Sequence, residues 1–354
     1  MIKYIGSKRR LVPLLGDLAA AVGARSALDL FTGTTRVAQA FKGRGLAVTA
    51  VDVARYAEVF ARCYVETDAD EVDRRELVEA LAYLQALPGE AGYVTATFCT
   101  ASRFFQPFNG ERIDAMRGAI EADFAGSPLH PLLLTSLIEA ADRVDSTTGV
   151  QMAYVKRWAP RSYAPIELRV PDLLAGTGRA VRGDALSLAA GLGPFDLAYL
   201  DPPYNQHRYF TNYHVWETLV AWDAPDHYGV ACKRVDARDP STKSVFNSKR
   251  TMPGALREVV QRIDCEVLAL SYNDEAWVDR HQLEEMCGRF ERVVTLGFES
   301  ARYVGARIGI HDPAGRKVGR VSHLFNRELV VLAGPADRIR RALRGPELAT
   351  AVLR

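Results

Sequence analysis

Cysteine is scarce and scattered in this chain of 354 residues: Cys63, Cys99, Cys232, Cys265 and Cys287, with no CxxC pair among them. An odd, dispersed set argues against a disulfide framework. The missing ligand spacing argues against zinc and iron–sulfur sites, so no metal is expected. Long apolar runs are missing too: the ~18 consecutive apolar residues of a membrane span occur nowhere, so no membrane partner is expected. Lys8, Arg9 and Arg10 precede an apolar stretch, Leu11 to Ala24, but Pro13, Gly16 and Asp17 interrupt it. That pattern argues against a secretory leader and for the cytoplasm. Charge of one sign is not in excess either, since a net value of +2 is too small to announce a nucleic-acid partner. Internal repeats and low-complexity tracts are absent.

What is present is a globular balance, 48% apolar and 25% charged, which excludes wholesale disorder. At roughly 150 residues per domain the length allows one to three folding units. Charge is unevenly placed: residues 301–354 carry 11 Lys/Arg against 4 Asp/Glu, and residues 231–262 carry 8 against 3. Either patch fits solvated surface as well as phosphate contact. Short apolar runs at Ala27–Phe31, Leu46–Val53, Phe195–Leu200 and Glu266–Ser271 alternate with helical patterns, which predicts an α/β fold with a mostly parallel sheet covered on both faces. Arg292–Leu296 and Arg327–Ala333 fit an antiparallel edge pair. About 130 residues between the second strand and the Gly183-Asp184 turn break the alternation. Asp68–Leu87 and Pro131–Val144 have helical apolar spacing, and Phe98–Arg112 is rich in aromatics and arginine. The stretch reads as an inserted, mainly helical lobe.

Two motifs carry chemistry. Asp201-Pro202-Pro203-Tyr204 follows the apolar run FDLAYL. Strand carboxyl ends line the ligand crevice of an open α/β sheet, so this turn delivers a carboxylate and an aromatic ring there together. An exocyclic adenine amine is a poor nucleophile because its lone pair is delocalised into the ring. A carboxylate and a main-chain carbonyl that accept its two N–H groups favour the pyramidal, nucleophilic form, and a tyrosine face holds an extruded base by stacking. The second motif, Asp29-Leu30-Phe31-Thr32-Gly33-Thr34-Thr35, is a strand feeding a turn and a helix. It lacks GxGxxG, which disfavours a dehydrogenase, yet one close-approach glycine still permits an adenosyl ligand. Asp52, 19 residues after Gly33, ends the next strand, where an acid accepts both ribose hydroxyls.

Asp29–Phe41 and Asp201–Tyr204 resemble the cofactor and catalytic motifs of S-adenosylmethionine-dependent N(6)-adenine DNA methyltransferases. Tyr4-Ile5-Gly6-Ser7-Lys8 precedes the cofactor motif, as in the Dam-like alpha class. Further strings resemble the FokI-type modification methylases: Arg208-Tyr209 through Asn212-Tyr213-His214 and Glu217-Thr218, Lys243-Ser244 with Phe246, and Ser271-Tyr272-Asn273-Asp274-Glu275. Phe108-Asn109 with Ile113-Asp114, and Glu139-Ala140-Ala141-Asp142 with Thr147-Thr148-Gly149, belong to the same resemblance, which runs from residue 2 to about 330.

The resemblance implies a Rossmann-like class I methyltransferase sheet, formed by residues 1–65 and 181–335, with residues 66–180 as a target-recognition lobe; residues 336–354, beyond the resemblance, read as a basic C-terminal segment. Tyr4, Lys8, Phe31, Gly33, Asp52, Asp184 and Asp201 would line the S-adenosylmethionine pocket. Asp201, Pro202, Pro203 and Tyr204 would form the catalytic turn. Double-stranded DNA would be the substrate, either with a cognate restriction endonuclease as partner or as an orphan methylase. Thr35 departs from relatives that carry a second small residue, and Tyr4 stands where some have tryptophan. Arg103, Asn109, Arg112 and Arg117 are the lobe side chains suited to base edges; Lys243, Lys249 and Arg250 suit phosphates. His214 and Glu217, three apart, fit packing better than a metal site, since no third ligand is evident. Phe104 and Phe105 fit the lobe core. An RNA base methyltransferase and a catalytically silent DNA-binding protein of the same fold remain the alternatives.

Overall fold

The computed structural model describes residues 2–6, 8, 10–301 and 325–353. In chain order the elements are α1 (Val12–Ala21), β1 (Ser26–Leu30), α2 (Arg36–Lys42), β2 (Ala47–Asp52), α3 (Arg55–Ala61), α4 (Arg74–Ala86), α5 (Pro107–Phe124), α6 (His130–Val144), β3 (Gly178–Arg182), α7 (Ala185–Leu188), β4 (Phe195–Leu200), α8 (Tyr209–Asn212) and α9 (His214–Ala221). A two-residue ladder of β5 (His227–Tyr228) and β6 (Lys233–Arg234) follows. Then come α10 (Met252–Arg262), β7 (Cys265–Asn273), α11 (Arg280–Met286), β8 (Arg292–Ala301), β9 (Phe325–Gly334), α12 (Ala336–Ala342) and α13 (Pro346–Ala351).

Seven strands form one mixed sheet in the order β3-β2-β1-β4-β7-β9-β8. β2 and β3 pair in parallel with Val51 opposite Val181. β1, β4 and β7 are parallel neighbours, Leu30 opposite Leu200 and Leu200 opposite Leu270. β9 runs antiparallel to both β7 and β8. The expected α/β class holds, and the two late apolar runs pair antiparallel as their pattern implied. β3 was not legible as a strand: its sequence GRAVR is polar and only half-buried, without the continuous apolar run of a covered parallel strand. β4 stops at the prolines of 202–203, which cannot continue a ladder.

The chain divides into two compact units. The first takes Met1–Pro13, Thr32–Asp184 and His207–Ser244; the second takes Leu14–Phe31, Ala185–Gln206 and Val245–Arg354. Residues 66–180 lie wholly in the first. There α4 is started by Asp73, whose carboxylate accepts from the Arg75 and Glu76 N–H groups, and α5 by Pro107 in its first turn, where no N–H is missed. Leu77, Leu84, Phe98, Phe104, Phe105, Ile113, Met116, Leu133 and Leu137 share one buried cluster of this unit with Tyr56, Phe60, Tyr213 and Trp216. Burial of each such side chain contributes about 1.5–3 kcal/mol. Phe104 and Phe105 are core, as the apolar reading of that cluster held.

Candidate active site

In the first unit the chain leaves β2 at Asp52 and turns into α3. The Asp52 carboxylate accepts from the Gly33 N–H at 2.9 Å and from the Ala54 N–H at 3.0 Å. Burial pushes this carboxyl above its ordinary range, against the pull of the backbone N–H groups of Ala54, Gly33 and Val53. Each oxygen keeps a second lone pair, so the acid can still accept from vicinal hydroxyls. Gly33 has φ +52, and a Cβ there would meet the Tyr4 hydroxyl at 3.0 Å. Two demands, left-handed backbone and close approach, therefore fix glycine at this position. Thr35 also sits at φ 62, which costs a β-branched residue of order 1–2 kcal/mol. Its hydroxyl donates to the Thr34 carbonyl at 2.7 Å and accepts from Gln39 at 2.8 Å.

Tyr4 forms the wall over this turn. Its ring stacks on Tyr213 at 4.7 Å and on Tyr209 at 5.4 Å, and its hydroxyl lies 3.3 Å from that of Tyr56. Burial raises the Tyr4 and Tyr56 phenols well above their ordinary values, so both remain neutral donors. Lys3 ties the same segment to the lobe: its backbone N–H and ammonium both reach the Asp142 carboxylate, and the ammonium reaches Asp145 at 3.2 Å. Lys8 is buried, its carbonyl accepting from Leu11 and Val12. Asp184 is exposed, one residue beyond Gly183, whose N–H donates to the Asp52 carbonyl at 2.9 Å. The structure thus brings Tyr4, Gly33 and Asp52 together, with the Asp184 turn bonded to the end of β2. A left-handed glycine beside a twice-bonded acid and an aromatic wall fits an adenosyl ligand.

In the second unit Asp201 and Tyr204 follow β4. Both are half-buried, and Pro202 between them is buried. Tyr204 meets Tyr272 of β7 edge-on at 5.6 Å. The next residue, Asn205, accepts from the Asn247 amide through its carbonyl at 3.1 Å. Phe31, a non-glycine residue at φ 75, packs edge-on against Phe246 at 5.0 Å. A left-handed phenylalanine is costly and persists only where its surroundings enforce it. Four family-like strings, at Phe31, Asp201–Tyr204, Phe246 and Tyr272, are thereby gathered at the carboxyl ends of neighbouring parallel strands.

The lobe candidates divide. Arg103 is half-exposed, lies over the Trp158 ring at 4.7 Å and donates to the Lys156 carbonyl. Asn109 is wholly buried; its amide donates to the Ala164 carbonyl at 2.9 Å and its oxygen accepts from the Ile166 N–H at 2.9 Å. Arg117 is buried and bonded to the Leu219 and Val220 carbonyls, and Arg112 to that of Gln85. The expectation that Asn109 and Arg117 face base edges is corrected here: both are buried, and their donors are spent on backbone carbonyls, that of Ala164 for Asn109 and those of the last turn of α9 for Arg117. Lys243, Lys249 and Arg250 are exposed. His214 is buried and bonded through Nε2 to the Gln151 carbonyl, a packing role. Among the described residues no group of three or more His, Cys, Asp or Glu is placed to hold a metal, and no helix is long and apolar enough to cross a membrane. Sequence reasoning gave no role to Tyr56, Tyr209, Tyr213 or Tyr272, although the tyrosine spacing 209/213 was a signal for one helical face.

Residues 4–286 match the family model of the D12 class N6 adenine-specific DNA methyltransferases. The chain is similar to the type II methyltransferase M.NlaIII of Neisseria lactamica, 29% identical over 85% of this chain and 92% of that protein. It is also similar to the modification methylase StsI of Streptococcus sanguinis, 28% identical over 82% of this chain, and to the type II methyltransferase M.FokI of Planomicrobium okeanokoites, 26% identical over 80%. It spans nearly all of the first relative but only 46% of each of the other two.

Proposed function

The chain belongs to the D12 class N6 adenine-specific DNA methyltransferases, a family that uses S-adenosylmethionine, and from that premise we propose that it methylates one adenine of a specific duplex sequence after turning the base out of the helix. S-adenosylmethionine, when bound, supplies a methyl group already activated on a sulfonium. The chain's own residues supply alignment. Tyr4, Gly33 and Asp52 hold the cofactor, with Lys8, Phe31 and Asp184 as further contacts and Asp52 on the ribose hydroxyls. Asp201 accepts from the exocyclic amine and keeps its lone pair available; Tyr204 stacks on the extruded base. No strong general base is needed at methyl transfer, because the amine loses its proton once it is cationic. Extrusion costs a few kcal/mol, recovered by stacking and hydrogen bonds in the pocket.

The lobe, residues 66–180, carries sequence choice in this reading, with half-exposed Arg103 among its candidate readers, while Lys243, Lys249 and Arg250 position the duplex through phosphates. The names of the relatives, type II methyltransferase and modification methylase, support a place in a restriction–modification pair with a cognate endonuclease. The observation that carries the reading is the Asp201–Tyr204 turn at the carboxyl end of β4, the strand flanked by β1 and β7 in parallel. Its test is transfer of labelled methyl into duplex DNA by the wild type and by Asp201→Ala. The variant should melt normally and lose a factor of about 10²–10³ or more in rate, the usual cost of one preorganised charge-stabilising group. Near-normal turnover would remove Asp201 from the chemistry.

A further inference from the structure

Two side chains to which no part in cofactor binding has been given reach the cofactor pocket's walls from one place in the chain. Tyr213, the residue before α9, sends its hydroxyl to accept from the Ile5 N–H at 2.7 Å, and its ring is stacked face to face on Tyr4. Glu217, one helical turn further on, accepts from the Arg55 N–H at 2.9 Å, beside that of Tyr56. Those are the first N–H groups of α3, which have no partner inside the helix. Three residues back along the chain is Asp52. Each contact joins segments more than 160 positions apart, and both Tyr213 and Glu217 are almost wholly buried.

The start of α9 is itself held. His214 bonds to the Gln151 carbonyl at 3.0 Å, the Gln151 side chain accepts from the Val215 N–H at 2.8 Å, and the Gln151 N–H donates to the Asn212 carbonyl. A fixed helix start therefore grips the N-terminal segment at Ile5 with one side chain and the β2–α3 turn with another. Neither side chain bears on Gly33 directly, but the two segments they grip are the ones that close on it: Tyr4 from one side, Asp52 from the other.

We propose that Tyr213 and Glu217 are positioning residues for cofactor binding, holding Tyr4 and Asp52 at the separation that the adenosyl ligand requires. This rests on the reading that Tyr4 and Asp52 bind S-adenosylmethionine. The inference makes the effect one of affinity, not of turnover, because neither group touches the transferred methyl or the target amine.

The test measures S-adenosylmethionine binding without DNA, steady-state KM and kcat, DNA affinity and melting, for Tyr213→Phe, Glu217→Ala, Glu217→Gln and Asp52→Ala. Tyr213→Phe keeps the stacked ring and removes only the hydroxyl, which accepts from the Ile5 N–H. It should weaken cofactor binding and raise KM about five- to tenfold, the equivalent of one net hydrogen bond, with kcat at saturating cofactor and DNA affinity unchanged. Glu217→Ala should do the same, and Glu217→Gln, which keeps an acceptor oxygen, should restore binding. A merely structural role would lower melting without this split. Wild-type affinity in Tyr213→Phe, or a fall in kcat at unchanged KM, overturns the proposal. If Glu217→Ala does not fold, Tyr213→Phe and Glu217→Gln decide. Unchanged affinity in Asp52→Ala would instead strike down the underlying cofactor reading.

Discussion

Replacing Glu217 by Gln removes a buried titration from a helix whose other buried group titrates in the opposite sense. Burial pushes the Glu217 carboxyl up from 4.5 to about 7, against the backbone N–H groups of Arg55 and Tyr56. Between those two pH values the folded chain holds a proton here that the unfolded chain has lost. The stability this group contributes is therefore fully present below 4.5 and is lost as pH rises through 7. At about 1.4 kcal/mol per pH unit the whole change is about 3 kcal/mol. On the same helix, burial pulls the His214 imidazole down from 6.5 to about 3. Its contribution is present above 6.5 and is lost as pH falls toward 3. From 4.5 to 6.5 the two slopes oppose each other in the wild type. Glu217→Gln leaves His214 uncompensated, so the variant's stability relative to wild type should climb by about 1.4 kcal/mol for each pH unit across that window. Urea unfolding of both proteins at several pH values reads the difference directly. A difference that does not change with pH would refute the assignment of Glu217 as a group that takes up a proton on folding.

Thr35→Val should cost about 1–3 kcal/mol in chemical unfolding, since it keeps the left-handed strain and leaves buried polar partners unmet, whereas Thr35→Gly, which relieves the strain, should be markedly milder. Gly33→Ala should weaken cofactor binding in calorimetry, because its Cβ meets the Tyr4 hydroxyl at 3.0 Å and displaces that ring, and should lower stability by about 1 kcal/mol or more. Arg117→Ala should lower melting while the methylated sequence motif, mapped on a random DNA library, stays the same; a changed motif with unchanged melting would restore Arg117 as a base reader. Neutralising Lys243, Lys249 and Arg250 should weaken DNA binding for all sequences alike and reduce the salt slope by about one per lost phosphate contact; an altered methylation motif would count against their role as phosphate contacts.

Much of the sheet was legible because buried parallel strands are written as continuous apolar runs: ALDLF, FDLAYL and EVLALS all form strands as read. The catalytic turn was legible for a related reason, since two prolines after such a run leave little but a strand end. Burial of polar side chains was not. On α5, Asn109, Asp114 and Arg117 are buried and bond backbone elsewhere: Asp114 accepts from Gly92, Val94 and Thr95 at a helix start, Asn109 accepts from Ile166, and Arg117 donates to the Leu219 and Val220 carbonyls at the end of α9. The residue types of Asn109 and Arg117 alone suggested base-reading side chains, because a helix with polar groups on its buried side loses the contrast that periodicity detects. The tyrosine wall was hidden for a different reason. Tyr4 meets Tyr56 across 52 positions and Ile5 meets Tyr213 across 208, and no local pattern encodes a pairing at that distance.

The most direct test of the central claim is the identity of the methylated base. Duplex DNA of mixed sequence is incubated with S-adenosylmethionine and the wild-type enzyme or Asp201→Ala, then digested to nucleosides and examined by mass spectrometry beside an RNA control. The account predicts N6-methyldeoxyadenosine with the wild type and almost none with the variant. Methylated cytosine, or methylation confined to RNA, would contradict it.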